Sequence, residues 1–366
     1  MDEIAYMRLA IQIARQGCGW VNPNPMVGSV IVKDGRIIGQ GYHKKYGELH
    51  AERNALANCQ TPATDATLYV TLEPCCHHGR TPPCTEAIIE SGIGRVVVGS
   101  SDPNPMVAGK GIAILRSYGI EVMENVARNE CDKLNESFFH YIQNRTPYVV
   151  MKYAMTMDGK IATRTGKSQW ITGAAARQRV HEDRHRYSAI MVGVGTVIAD
   201  DPMLTCRLEN GRNPLRIICD TSLRTPLQAK VVTTSDIAPT LIATAITDTN
   251  RHQPYLEAGC EFMVIPQKDN HIDLNSLMKK LGEKQIDSLL LEGGGTLNWS
   301  ALQSGIVNKV QAYIAPKLFG GSGKNPVEGL GIDHPEGAFP LSKPFITQVG
   351  EDILLESEVI WCLQES

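Results

Sequence analysis

No stretch of the sequence approaches the ~18–20 uninterrupted apolar residues that a membrane-spanning helix needs, so neither a span nor a membrane partner is expected. The first residues, MDEIAYMRLAIQIARQG, start acidic and alternate polar with apolar side chains; the basic and then apolar regions of a secretion signal are missing, which points to the cytoplasm. A basic excess is missing too. Residues 1–146 hold 14 Lys/Arg against 15 Asp/Glu and residues 147–366 hold 22 against 24, which speaks against nucleic acid as a partner. There is no long low-complexity run and no G-x-G-x-x-G fingerprint, so disorder and a Rossmann domain are not indicated. Cysteine is not scarce, with ten residues, but without an export signal these read as reduced thiols. A local cluster of them then suggests metal binding or catalysis.

What is present suffices for two cores: 366 residues, 42% hydrophobic and 20% charged. In the first half Ile4, Met7, Ile11 and Ala14 form one apolar helical stripe, and VGSVIVK and RIIGQGYH flank Asp34-Gly35, a hairpin signal. A helix from His50 to Cys59, the strand ATLYVTL, a helix from Cys84 to Ser91, the strand RVVVGS, a helix near Ile112 to Tyr118 and the strand IEVME follow. Five strands with interleaved helices predict a three-layer α/β/α domain over residues 1–146. A long polar helix from Asn125 to Asn144 should close it, because Pro147 restricts Thr146 to extended geometry. Residues 147–366 alternate again, with strands near YVVMKYAM, AIMVGVG, LRIICD, TLIATAI, EFMVIP, SLLLEGG and KVQAYIAP, and helices such as Ala174 to Arg186 and Asn275 to Glu283. This is a second α/β domain.

The densest chemistry is TLEPCCHHGRTPPC at 71–84, with HAE at 50–52 upstream. Cys75 follows a predicted strand, while His50 and Cys84 open predicted helices, where free amides and the helix dipole favour a thiolate. Three such ligands leave a fourth tetrahedral position for water, the arrangement of a catalytic zinc site. Glu52 is then placed to shuttle protons between that water and a leaving amine. Against this stand a closed structural knot that recruits Cys76 or His77, and buried thiols with no metal. A fourth protein ligand would displace the reactive water, which favours reading Cys76, His77 and His78 as loop residues.

H-A-E followed by P-C and a second Cys resembles the zinc-dependent nucleoside and base deaminases, although the eight residues between Cys75 and Cys84 depart from their usual C-x-x-C. The longer form, with LEPC, GRTPPC, NPNPMVG at 22–28, GYH at 41–43 and DPNPMVAGKG at 102–111, resembles the first domain of the bifunctional deaminase/reductases of riboflavin biosynthesis. That resemblance implies His50, Cys75 and Cys84 as zinc ligands and Glu52 as catalytic. It further implies Asn24, His43, Arg80, Asp102 and Asn104 as deaminase substrate residues. Cys76 stands where that family usually has Ser.

In the second half VVMKYAMTMDGKIAT, GKSQWITG, VGVGTVIADDPMLTCR and LLLEGGGTLNWSAL resemble the reductase domain of the same family, whose fold is similar to dihydrofolate reductase. The last segment has its own physical reading: an apolar strand, a Gly-rich turn and a helix whose first amides can approach a pyrophosphate. The resemblance implies NADPH held by Ala154, Trp170, Thr196, Asp200, Gly293, Gly294, Gly295 and Thr296. It implies substrate held by Ser168, Arg184, Leu204, Arg207 and Glu292, with the two arginines suited to a bidentate grip on a sugar phosphate, and Lys152 at the reacting sugar. The expectation is therefore a zinc hydrolase joined to an NADP-dependent oxidoreductase. It would act on a small pyrimidine ribosyl phosphate, without nucleic acid or membrane, as a homo-oligomer (dimer or tetramer). Two rivals remain, a nucleic-acid or nucleoside deaminase with an accessory domain and a zinc-stapled binding module.

Overall fold

The structure is a computed structural model that describes residues 2–78 and 82–361. The chain divides into two compact units, Met1–Arg145 and Thr146–Ser366.

The first unit begins with α1 (Glu3–Ala14), whose N-terminus is capped by the Asp2 carboxylate accepting the Ala5 amide. Next come β1 (Gly28–Lys33), β2 (Arg36–Tyr42), α2 (Ala51–Ala57), β3 (Thr67–Leu72), α3 (Cys84–Glu90), β4 (Arg95–Ser100), α4 (Lys110–Ser117), β5 (Glu121–Met123), α5 (Arg128–Leu134) and α6 (Glu136–Asn144). The sheet order is β2-β1-β3-β4-β5. β1 runs antiparallel to β2 and β3, whereas β3, β4 and β5 are parallel. Asp34 and Gly35 both take positive φ, the geometry that a two-residue hairpin turn requires. Alternation along the strands feeds two cores. Val30, Val32, Tyr69 and Val97 pack with α1 and α5 on one face, and Ile31, Leu68, Val70 and Val98 pack with Ala55, Ile88 and Leu115 on the other.

The single long helix expected from Asn125 to Asn144 is two helices. Asn125 and Ala127 lie at positive φ, so helix begins only at Arg128. The second break is at Asn135, whose carboxamide exchanges two hydrogen bonds with the Met26 backbone, accepting from the amide at 2.8 Å and donating to the carbonyl at 2.9 Å. That tertiary pairing outweighs helix continuity and anchors the loop that carries Asn24.

The second unit contains β6 (Tyr148–Thr156), α7 (Ala174–Arg186), β7 (Ala189–Gly193), α8 (Val194–Asp200), β8 (Leu215–Cys219), α9 (Lys230–Thr233), β9 (Thr240–Thr244), α10 (Thr249–Glu257) and β10 (Glu261–Val264). It continues with a two-stranded ribbon, β11 (Gln267–Lys268) and β12 (His271–Ile272), then α11 (Leu274–Glu283), β13 (Ser288–Leu291), α12 (Gly295–Gln303), β14 (Lys309–Ala315), β15 (Phe345–Val349) and β16 (Asp352–Glu358). Nine strands form one sheet in the order β10-β9-β8-β7-β13-β6-β14-β16-β15. All seven sequence-predicted strands are parallel members of it. The antiparallel pair β15 and β16 carries no clean period-two signal, since its burial is irregular and β15 is mostly exposed. Among the described residues no helix is long and apolar enough to cross a membrane.

The packing of α2 decides where the first site forms. Gly41 of β2 lies under this helix, and a Cβ there would overlap the Ala51 carbonyl and the Ala55 amide. Gly41→Ala should therefore push α2 outward and cost ~1–3 kcal/mol, the usual range for overpacking, read as a lowered urea midpoint of the first unit.

Candidate functional sites

In the first unit three chain segments converge. His50 is the N-cap of α2, Cys75 lies just beyond the end of β3, and Cys84 is the first residue of α3. His50 Nδ1 is 3.4 Å from each sulfur, and the three ligand atoms lie within 4.8 Å of one another. Among the described residues this is the one group of His, Cys, Asp and Glu placed to share a metal ion. The donor set, two thiols and an imidazole, suits zinc. Hydrogen bonding from Cys84, then from His50, pulls the Cys75 thiol down to about 4, while the same Cys75 contact and burial push Cys84 well up. The Cys84 amide also donates to Cys75 Sγ at 3.3 Å, a helix-start N–H turned onto a thiolate.

Glu52 is 3% exposed, in the first turn of α2. Burial, then the Cys75 charge, raises its carboxyl, as a proton carrier requires. Cys76 turns away, with its thiol directed at the Met106 carbonyl at 3.8 Å, and His78 pairs with Glu86 at 3.4 Å.

Around this group His43 stands edge-on to His50, with ring centroids 5.4 Å apart. Its Nδ1 bonds the Leu49 carbonyl at 3.1 Å, which leaves Nε2 for the Asn24 amide at 3.2 Å; burial depresses its pKa, in keeping with a neutral ring. Asp102 follows β4 and accepts the Asn104 amide at 2.8 Å, and burial raises its carboxyl to about 6. Arg80 lies outside the described residues. Glu73, which the sequence reading passed over, is 3% exposed and accepts amides from Gly109 and Ile112 at 3.0 and 3.3 Å, fixing the 102–112 loop against the Cys75 strand.

In the second unit two cavities adjoin. One is lined by Lys152, Ala154, Ser168, Trp170, Arg184, Leu204, Arg207 and Glu292; the other by Ser168, Thr196, Asp200, Gly294, Gly295 and Thr296. Ser168 belongs to both walls and donates to Asp200 at 3.3 Å. Gly293 borders neither. A Cβ there would stand 2.8 Å from Leu297 Cδ2, a side-chain end that can move aside. Arg184 also differs from expectation. Its fork is spent on Glu292, with Nε and Nη2 donating at 2.9 and 3.0 Å, and Nη1 binds the Thr205 carbonyl, so its bidentate partner is a carboxylate of the protein itself. Lys152 Nζ lies 3.8 Å from the same carboxylate and 5.8 Å above the Tyr313 ring. Burial lowers the Lys152 pKa and the Glu292 charge opposes that.

Arg177 and His181, missed in the sequence, line the first cavity together with Arg184. Their spacing of four and then three residues on α7 was a usable signal. The Arg177 guanidinium lies 4.7 Å over the Trp170 ring, and burial, then Arg184 and Arg207, press His181 down to about 4. Lys324 and Glu328 of the second cavity come from the loop after β14 and had no local signature.

Burial alone would raise the Glu292 carboxyl, but the charges of Arg184 and Lys152 bring it to about 2. A folded value below the ordinary 4.5 stabilises fully above that ordinary value and is lost as pH falls toward 2. Glu292→Gln should therefore destabilise the second unit at pH 6 and flatten its stability loss between about pH 4.5 and 2, measured by urea unfolding at stepped pH.

Comparison with known proteins matches residues 1–100 to the cytidine and deoxycytidylate deaminase zinc-binding region and residues 147–355 to the RibD C-terminal domain. The riboflavin biosynthesis protein RibD of Actinobacillus pleuropneumoniae is 55% identical over 98% of this chain and 96% of its own. That of Escherichia coli is 39% identical over 97% and 99%. Among solved structures, the Thermotoga maritima diaminohydroxyphosphoribosylaminopyrimidine deaminase/5-amino-6-(5-phosphoribosylamino)uracil reductase superposes with a TM-score of 0.84 at 38% identity, covering 98% of both chains. An Acinetobacter baumannii RibD gives 0.87 at 36%, covering 98% and 99%. Relatives that align across both units leave no place for a nucleic-acid or nucleoside deaminase with an accessory domain. A cytidine-deaminase-like unit and a reductase unit of the dihydrofolate-reductase-like class thus stand in one polypeptide, and the chain belongs to the RibD family, the bifunctional deaminase/reductases of riboflavin biosynthesis.

Proposed function

We propose that the first unit removes the C2 amino group of 2,5-diamino-6-(5-phosphoribosylamino)pyrimidin-4-one as ammonia, and that the second reduces the ribosyl group of the product to ribityl with NADPH. The observation that carries the first half is the convergence of His50, Cys75 and Cys84 beside the buried Glu52. These three residues would hold zinc, which supplies the Lewis acidity that makes water nucleophilic at neutral pH. Glu52 accepts the proton of the attacking water and returns it to the departing amine, a role its raised pKa favours. Asn24, His43, Asp102 and Asn104 orient the pyrimidine, with Arg80 assigned to the same group by resemblance.

In the second unit the cavity bounded by Thr196, Asp200 and the Gly294–Thr296 turn is assigned to NADPH, with Ala154 and Trp170 at the neighbouring wall. Bound there, NADPH supplies the hydride for C1′. Lys152 holds a proton for the ring oxygen released as the C1′–O4′ bond opens, and Glu292 keeps that ammonium in place. Arg207 and Ser168 receive the sugar phosphate, while Arg184 holds Glu292 and Leu204 closes the wall. The protein is further assigned to the cytoplasm. A homo-oligomer is favoured by Phe345 and Ile346, 59% and 64% exposed on the edge strand β15.

Incubation with the diaminopyrimidine phosphate, following ammonia release and NADPH absorbance together, tests both steps. Glu52→Ala should lower ammonia release by at least ~10²–10⁴-fold and leave NADPH oxidation on pre-deaminated substrate intact; joint loss of both activities in folded protein would refute two separate sites. Lys152→Ala should do the reverse, and unchanged reductase turnover would remove Lys152 from the chemistry.

A further inference from the structure

α2 carries a charged residue that none of these roles uses. Arg53 follows Glu52, and its guanidinium reaches the segment that leads into Cys84: Nε donates to the Pro82 carbonyl at 3.2 Å and Nη2 to the Pro83 carbonyl at 2.7 Å. Pro82 and Pro83 have no N–H, so their carbonyls are all the polar backbone this segment offers. With φ fixed by both rings, anchoring the two carbonyls sets the direction in which the chain enters α3 and hence the direction of the Cys84 side chain. α3 starts without a side-chain cap, with Pro83 itself in the capping position. Among the described residues, further ties at this point lead to Cys75, from the Cys84 amide to Cys75 Sγ at 3.3 Å and from the Thr85 amide to the Cys75 carbonyl at 3.2 Å. The Arg53 fork therefore joins the helix that bears His50 and Glu52 to the root of the helix that bears Cys84. A planar guanidinium can span two successive carbonyls, whereas an ammonium is a single point of charge.

We infer that Arg53 is a positioning residue of the deaminase centre, clamping the Pro82–Pro83 segment to α2 so that Cys84 is held against His50 and the three-ligand set is preformed for its ion. The inference rests on the zinc reading of that centre. It is tested on the full-length protein by zinc release to a chromogenic chelator and by the visible absorption of the cobalt-substituted enzyme, with thermal unfolding and NADPH oxidation on pre-deaminated substrate as controls. Arg53→Ala should release zinc ~10–100-fold more readily, the usual effect of losing a group that orients a ligand. Its cobalt spectrum should be shifted, and kcat for ammonia release should fall while KM barely moves. Arg53→Lys should lie between, and it carries the test if the alanine variant does not fold. Wild-type zinc retention and spectrum in the variants would overturn the inference, as would a raised KM with zinc retention unchanged, which marks a substrate contact instead. Wild-type protein that takes up no zinc would remove the zinc reading itself, an outcome separate from the failure of the clamp alone.

Discussion

Strands that run parallel end along one edge of their sheet, and at that edge the chain must leave, turn and begin a helix. Both units place several of their functional groups there. Cys75 follows β3 and Asp102 follows β4, parallel neighbours in the first sheet. Glu292 follows β13 and Thr196 lies in the helix after β7, again parallel neighbours. The helix starts there leave amides without intrahelical partners. In the first unit such an amide, from Cys84, meets a sulfur; in the second, the start of α12 opens onto a cavity. The same topological necessity thus supplies anion-friendly backbone to two unrelated reactions.

What was legible in the sequence was what short, contiguous segments decide. His50, Glu52, Cys75 and Cys84 sit at the ends of elements whose type follows from a few residues, so their convergence could be anticipated. Asp34-Gly35 announced its hairpin for the same reason. Contacts between distant segments were not legible. Asn135 breaks a helix because Met26 claims its carboxamide, and no local propensity records that partner. Arg184 binds Glu292, 108 positions away, so a guanidinium that looked free for phosphate is occupied by the fold. Gly293 shares a glycine run with Gly294 and Gly295, yet only the latter two line the cavity beside Thr196 and Asp200.

The two centres manage buried charge differently. The first raises the Glu52 carboxyl and the Cys84 thiol by burial and by the neighbouring Cys75, while it favours the ionised form of Cys75. The second neutralises a buried carboxylate with two cations. Removing one member of such a set leaves the rest uncompensated, which makes the second centre structural as well as reactive.

The wall of the Lys152 cavity carries four cationic side chains, Lys152, Arg177, Arg184 and Arg207, against the carboxylate of Glu292, in a molecule whose formal net charge is −3. The balance of the whole chain is negative, while the wall of this opening carries more positive than negative side chains. Low-dielectric walls concentrate such a field, and a field of this sign favours the approach of anions over uncharged molecules of the same shape. Selection by charge thus begins before contact, and added salt weakens it first at long range.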